Sequence, residues 1–533
     1  MDGSARSTVP SCRSRSVPAM RSIAVNTAES APAELERGSA ARGSAALALG
    51  AIATGGGNYA FSVALAYIVS RDAFGVIGIV QGFLLFAAWF TTAGFPWTVS
   101  RRLSATTDPA ARAAALRGAT VGNLVVATVL AGVLLILLFV GALHLGSESA
   151  TPVIVGALAC SVAGINGAAR GALQGLLRFR TVALVNVLEV VVKLGVGLSL
   201  AAVGLGPTGA AFGILAGLVA ASCVSLWALR DLPVARVSGL GGKALVRETA
   251  PLFAATAGMA LITSLDLFGV KVLTPSGVSN SAAALYLAAV TLARVPYFLA
   301  TALTAAVFAH VVRVRDRRDA AGLYVRKGVL YIVALLSPLS LALMALPEPA
   351  LHLLFPAQYA AAAPALRVAA GGTIFLGVAS FLVGALQAMG RDRRPALVVL
   401  AAVGVDVIGL AVSVPIGSRA GGVGALIAAA SAFDVAVVLA TTALFAMCWR
   451  LFRWRLSFRR TVAFLICAAV FVVLLEVIPH ENRLELIADG WLAACVYVVL
   501  TRVLRLLSPG DFATVRSAIP IAGDTSDAAG PNV

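Results

Sequence analysis

Apolar run follows apolar run along this chain, each near the length a bilayer demands, and that rhythm limits the fold before any motif is read. A helix rises about 1.5 Å per residue, so about 20 apolar residues cross a hydrocarbon core of roughly 30 Å. Fourteen such runs can be marked, at 44–69, 74–97, 117–142, 151–171, 182–204, 208–229, 248–273, 282–308, 328–346, 361–389, 395–416, 421–447, 461–478 and 485–506. A chain of 533 residues that is 60% hydrophobic and 12% charged cannot hide so much apolar surface in a water-soluble core. The pattern implies an all-α polytopic membrane protein. Gly55, Gly56 and Gly57 in the first span, and Pro251 with Gly258 in the seventh, are residues at which a membrane helix can bend.

The basic residues test this count. With the N-terminus in the cytoplasm, 34 of the 41 Lys and Arg fall in the tails and connections on that side, counting Arg117, Arg170, Arg502 and Arg505 at the span ends that adjoin them. Three (Arg71, Arg419, Arg483) fall on the other side, and four (Lys193, Lys271, Arg294, Arg367) lie within spans away from those cytoplasmic ends. This is the asymmetry of the positive-inside rule, and a missed or spurious helix would scramble it. Both termini are therefore expected on the cytoplasmic face of a bacterial cell membrane. The net charge of +17 then needs no nucleic acid, because basic loops face anionic lipid head groups.

Other chemistry is sparse. The six cysteines are scattered without paired spacing, and the four histidines lie far apart, so neither a disulfide framework nor a metal site is indicated. No phosphate-cradling G-x-x-x-x-G-K-[ST] motif is present, so ATP is not the direct energy source, and no cofactor is expected. Residues 1–43 read as a disordered basic tail without the apolar core of a signal peptide, and 507–533 as a second disordered tail.

An internal repeat organises the spans. "GALQGLLRFRTVAL" (171–184) and "GALQAMGRDRRPAL" (384–397) match at eight positions when offset by 213 residues. Each links a fourth helix to a fifth within a set of six. The organisation expected is an N-lobe at 44–229, a cytoplasmic linker at 230–247, a C-lobe at 248–447 and two appended helices at 461–506. Six is even, so the lobes are parallel, a transporter plan in which substrate sits at the lobe interface near the membrane midplane.

The second-lobe run "LHLLFPAQYAAAAPALRVAAGGTIFLGVASFLVGALQAMGRDRRPALVVLAAVGVDVIGL" is similar to the polysaccharide transporter (oligosaccharide flippase) branch of the MOP superfamily. So are "RDAFGVIGIVQGFLLFAAWFTTAGFPWTVSRR", the "RGALQGLLRF" turn and "SLDLFGVKVLTP…ALYLAAVTLARVPYFLATALTAAVF". The resemblance covers about 44–450. It rests on the whole pattern and the helix count, not on a catalytic motif. It implies a transporter rather than an enzyme, moving a lipid-linked oligosaccharide for surface polysaccharide assembly by alternating access of two lobes. Membrane lipids, and a polysaccharide polymerase or ligase of the same pathway, are the partners it implies. Its relatives leave an ion-coupled multidrug exporter and a lipid II flippase as alternatives. A membrane polymerase or glycosyltransferase fits poorly, because the longest external connection is about 347–360 and no external loop carries a clustered carboxylate pair.

Charges within spans are costly, about 2.5–3.5 kcal/mol each on insertion scales, and usually face an interior or a water-filled path. Glu189 and Lys193 are four residues apart on one helix, acid first, which reads either as a self-neutralised pair or as a cavity lining. The 213-residue offset sets Asp406 opposite Lys193 in the other lobe. Arg294 has no acid one turn away on its own helix. The resemblance implies that a basic group there meets a diphosphate, and the other reading is a pair with Asp266, an acid often seen in this family's seventh helix. Arg367 reads as a ligand group or as a side chain that snorkels outward, Lys271 as one that snorkels, and Asp434 as a proton or cation site.

Overall fold

The computed structural model of the chain describes residue 50, residues 53–146, 148–232, 257–298, 317–391, 393–454, 458–477 and 483–504, and residues 300, 311 and 506. Both expected tails, most of the 230–247 linker, and the expected span residues 44–49, 248–256 and 301–308 lie outside the described residues. Among the described residues every regular element is helical. In chain order these are α1 (53–68), α2 (Arg71–Ala105), α3 (Pro109–Phe139), α4 (Thr151–Gly175), α5 (Phe179–Leu200) and α6 (Gly206–Trp227). They continue with α7 (257–262, then Leu265–Leu273), α8 (Ser279–Ala293, resuming at 295–298), α9 (Arg318–Ala345), α10 (Ala363–Ala388), α11 (Arg393–Arg419), α12 (Gly422–Phe452), α13 (Phe458–Val477) and α14 (Arg483–Val503). A short helix, Pro347–Leu354, and a 3₁₀ turn, Ala357–Ala362, join α9 to α10. Among the described residues ten helical segments, α5 and α6 counted as one across the kink at Gly204, are long and apolar enough to cross a membrane.

The repeat is visible in the backbone. The helix α4 ends with Leu177 at a positive φ of 58°, and Arg178 N–H donates to the Leu173 carbonyl at 2.9 Å. Helix α10 ends with Gly390 at φ 70°, and Arg391 N–H donates to the Leu386 carbonyl at 3.0 Å. Each residue in the second set is 213 beyond its counterpart in the first. Both are the left-handed helix stop that satisfies orphan carbonyls. Leucine tolerates that φ poorly and glycine well, so the conformation is kept where the sequence is not.

Helices α1–α6 pack on one another, as do α7–α12. The α2–α4 crossing shows why the chain is rich in glycine. Gly167, Gly171 and Gly175 of α4 lie against the backbones of Thr91, Pro96 and Ser100 of α2, and a Cβ on Gly175 would stand 2.5 Å from the Ser100 carbonyl. In lipid, helices associate through such close approach, because lipid tails are as apolar as leucine. On the outside, α3 presents Val121, Val125, Val129 and Ile136 exposed on one stripe, an apolar surface that suits lipid and not water. Helices α13 and α14 pack on α9 through Phe471, Leu475 and Tyr497 against Leu341, Ala342 and Ala345.

The two groups of helices meet unequally. At the end where α2 and α8 begin they share one core, from Phe61, Phe74, Ile77 and Val80 to Leu287, Tyr359 and Leu366. Towards the other end the shared core gives way to separate ones, around Phe95, Val99 and Leu173 in the first group and Ile332, Phe381 and Val399 in the second. The joined end is also latched by polar contacts between the groups. Arg71 Nη1 donates to Ser281 Oγ at 3.3 Å, Asn280 Nδ2 to the Leu145 carbonyl at 2.8 Å and Lys271 Nζ to the His144 carbonyl at 3.3 Å. Among the described residues the two groups are thus joined at this end and keep separate cores towards the end that carries most of the arginines.

Gly167→Ala, which drives a Cβ into the Thr91 carbonyl, should lower thermal stability in detergent by about 1–3 kcal/mol. Gly132→Ala on α3, where a Cβ meets nothing within 4 Å, should be neutral or slightly stabilising. Melting curves of the purified full chain compare the two.

Candidate functional site

Two broken helices make the centre of the site. The helix α7 is interrupted at Thr263 and Ser264 and restarts at Leu265, which puts Asp266 in a fresh first turn. There its Oδ1 accepts the Leu267 N–H at 2.9 Å. A carboxylate is favoured at such a helix start. Helix α8 is interrupted at Arg294, two residues before Pro296, whose missing N–H cannot continue the ladder. The two breaks face each other. Arg294 Nη2 donates to Asp266 Oδ2 at 2.5 Å, and Tyr286 OH donates to the same oxygen at 3.0 Å. Asp266 is fully buried, whereas Arg294 keeps some open surface and lies over the Phe433 ring at 5.8 Å. The sequence points to a bend at Pro251 or Gly258. Pro251 lies outside the described residues, and the observed break is at Thr263–Ser264, where Thr263 Oγ1 bonds back to the Met259 and Ala260 carbonyls.

Two further acids stand on neighbouring helices. Asp406 of α11 is fully buried, and among the described residues neither carboxylate oxygen has a hydrogen-bond partner. It lies within electrostatic reach of both Asp266 and Arg294. Asp434 of α12 lies within reach of Asp266 and against the Gly372 backbone. Its carboxylate fills the space a Cβ on Gly372 of α10 would occupy.

The first group of helices carries its own charges within spans. Glu189 of α5 pairs with Arg170 of α4 and accepts from Asn166 Nδ2 at 3.4 Å, and Asn166 Oδ1 in turn accepts from Ser225 of α6 at 3.4 Å. Lys193 donates to Asn58 Oδ1 of α1 at 2.8 Å, with its ammonium 4.3 Å from the Phe61 ring centroid. Glu189 and Lys193 thus each reach another helix rather than closing on one another. Next to Asn58, Tyr59 OH donates to the Thr291 carbonyl of α8 and its ring meets Phe298 edge-on at 6.0 Å, so α1 touches the second group beside Arg294.

Two candidates lie elsewhere. Lys271 does not snorkel. It is fully buried, donates to the Asn280 side-chain carbonyl as well as to the His144 carbonyl, and belongs to the joined end. Arg367 is exposed near that end, with Nε donating to the Met344 carbonyl at 3.0 Å. Sequence reasoning missed Arg170, which it placed in a cytoplasmic turn, and the polar partners Asn58, Asn166, Tyr59 and Tyr286. A signal for Arg170 existed. In an antiparallel hairpin that turns near Phe179, residues 170 and 189 are equally far from the turn and so share a depth.

Comparison with known proteins places this architecture. The profile of the family described as polysaccharide biosynthesis protein matches residues 64–364. The chain belongs to that family. Among solved structures, the lipid II flippase MurJ in an inward closed conformation is similar at 13% identity, with a TM-score of 0.69 over 86% of this chain and 98% of that one. An inward-facing multidrug resistance MATE family transporter of the MOP superfamily is similar at 16% identity, with a TM-score of 0.56 over 75% and 96%. An aspartate-to-asparagine variant of the Vibrio cholerae MATE transporter VcmN follows at 14%, 0.52, 78% and 98%. These likenesses show a shared fold. A search of curated protein sequences finds no match.

Removing Arg294 alone leaves Asp266 buried without its cation, and breaking a buried pair in this way costs about 3–5 kcal/mol. Arg294→Gln should therefore lower the melting temperature clearly, and Asp266→Asn with Arg294→Gln should recover much of the loss. A double-mutant cycle on thermal unfolding of the full chain measures this coupling.

Proposed function

We propose that this family member is a flippase that carries a polyprenyl-diphosphate-linked oligosaccharide across the bacterial cytoplasmic membrane for cell-surface polysaccharide assembly. The observation that carries the reading is the position of the charges. Arg294, Asp266, Asp406 and Asp434 lie together in the second group, and Arg170, Glu189 and Lys193 stand within spans of the first. Tyr59, next to the Asn58 that holds Lys193, reaches α8 at Thr291 and so joins the two sets. A polar head group of sugars and phosphates can cross along a path between them while its lipid tail stays in the bilayer. The arginine-rich end is assigned to the cytoplasm, as the positive-inside rule requires. Both termini are then cytoplasmic, and the two groups of helices act as the N-lobe (44–229) and C-lobe (248–447), with 230–247 as their linker. Transport proceeds as the joined end parts and the arginine-rich end closes. A polymerase or ligase of the same pathway would take up the delivered cargo.

The first test deletes the gene in the native host and quantifies lipid-linked glycans by mass spectrometry beside surface polysaccharide. Accumulated lipid-linked units with lost surface glycan are expected, and their mass identifies the cargo. Accumulated lipid II would reassign the substrate, and unchanged pools with new sensitivity to cationic drugs would overturn the reading in favour of an exporter.

Alternating access has its own test. A Cβ built on Gly78 would stand 3.6 Å from Leu287 Cβ across the joined end, within disulfide range. Gly78→Cys with Leu287→Cys should abolish surface glycan under oxidising conditions and regain it under reducing ones. Full transport with the cross-link formed would refute separation at this seam.

A further inference from the structure

The two walls of the cleft differ in charge, and the difference relocates the anion site. On the second-group wall one cation, Arg294, stands among three carboxylates, Asp266, Asp406 and Asp434. Arg294 is already bonded to Asp266, and Asp406 and Asp434 add further carboxyls beside that pair and no second cation among the described residues. A diphosphate would meet there only a cation that a carboxylate already holds. The first-group wall has the opposite sign. Two cations, Arg170 and Lys193, stand against one carboxylate, Glu189. Arg170 holds that carboxylate, and its Nε–H is buried without a partner among the described residues. The hydrogen bond of Lys193 goes to a neutral amide oxygen on Asn58, an exposed residue, and its ammonium lies over the Phe61 face. It is half-buried and keeps open surface. An ammonium has three donors, and one hydrogen bond to an amide leaves two to offer.

From this asymmetry we infer that Lys193, backed by Asn58 and Arg170, is the seat of the cargo's diphosphate, and that Arg294 is the internal counter-ion of Asp266. The inference rests on the flippase reading and refines it by naming which wall takes the anion. Asn58 then has a defined part. Its amide oxygen orients the ammonium without neutralising it, which a carboxylate in the same place would not do. Lys193 is a ligand residue under this inference, and Asn58 is a positioning residue.

The test measures binding of undecaprenyl diphosphate to the full-length protein in phosphatidylcholine nanodiscs, with each variant compared at equal folded fraction. Removing one charge-assisted hydrogen bond from a shielded site weakens binding by about tenfold or more. Lys193→Gln should lose that much, and Lys193→Arg should keep most of the wild-type affinity. Asn58→Asp keeps the lysine but gives it a carboxylate at hydrogen-bond range, and it should fall with Lys193→Gln. This second variant carries the test if Lys193→Gln does not fold. Wild-type affinity in Lys193→Gln or Asn58→Asp, or a greater loss in Arg294→Gln, overturns the assignment and leaves the flippase reading standing. No binding of the diphosphate by the wild-type chain overturns both. Loss of the probe when half the lipid is replaced by phosphatidylglycerol identifies the occupant as a phospholipid head group, and that outcome also overturns the assignment.

Discussion

A charge can stand inside a membrane protein only where something answers it, and here the Asp266–Arg294 pair shows how much structure that requirement shapes. Each partner sits at a break in its helix, because an unbroken helix uses its backbone groups on itself and offers none to a ligand or a carboxylate. The break in α7 exposes the Leu267 N–H that Asp266 accepts, and the break in α8 turns Arg294 towards it. Tyr286 supplies the remaining donor. The carboxylate is fully buried and has three donors, so the local geometry of α7 and α8 is tied to one electrostatic contact. Asp406 lies within reach of the same pair, and Asp434 within reach of its acid.

Glycine has the complementary role. Where the Asp266–Arg294 pair fixes the middle of the cleft, glycines set how closely the surrounding helices stand. Gly167, Gly171 and Gly175 bring α4 onto α2. Gly75, Gly78 and Gly82 bring α2 onto the second group at the joined end, against Asn280, Leu287 and Leu267. The first set holds one group together and the second lies in the seam between groups. A seam made of glycine and leucine, with a few polar latches, can part without stranding a charge. The fully buried Lys271 is the exception, and its acceptors, Asn280 beside it and a loop carbonyl across the seam, keep the closed state well satisfied.

Most of the architecture was legible in the sequence because hydrophobic length and arginine placement are coarse signals that many residues repeat. The 213-residue repeat was legible for the same reason, and it reappears as matched helix stops at Leu177 and Gly390. The charged residues were legible as candidates but not as pairs. Glu189 and Lys193 looked like partners because helical spacing is all one helix can show. Their real partners, Arg170 and Asn58, lie on other helices, and tertiary packing chose them. Arg170 was hidden by its place near a helix end, where arginine ordinarily marks the cytoplasmic side. Lys271 was misread by the same logic, since nothing in a span's hydropathy reveals that a loop from the other group folds over it.

Lys193 and Asp406 occupy the same place in the two halves of the repeat and carry opposite charge. Divergence at this one repeated position gives the two groups of helices opposite charge there. Under the proposed function a uniform cleft would hold a head group of any orientation, and a polarised one would order it, with the anionic link drawn to α5 and the sugars left to the carboxyls of α11 and α12. Such an order would suit a path in which a lipid tail leaves between particular helices while the sugars cross. It also means that carrying the charge of one wall onto the other should disturb the orientation of cargo more than its binding, because both depths would still hold a charged group.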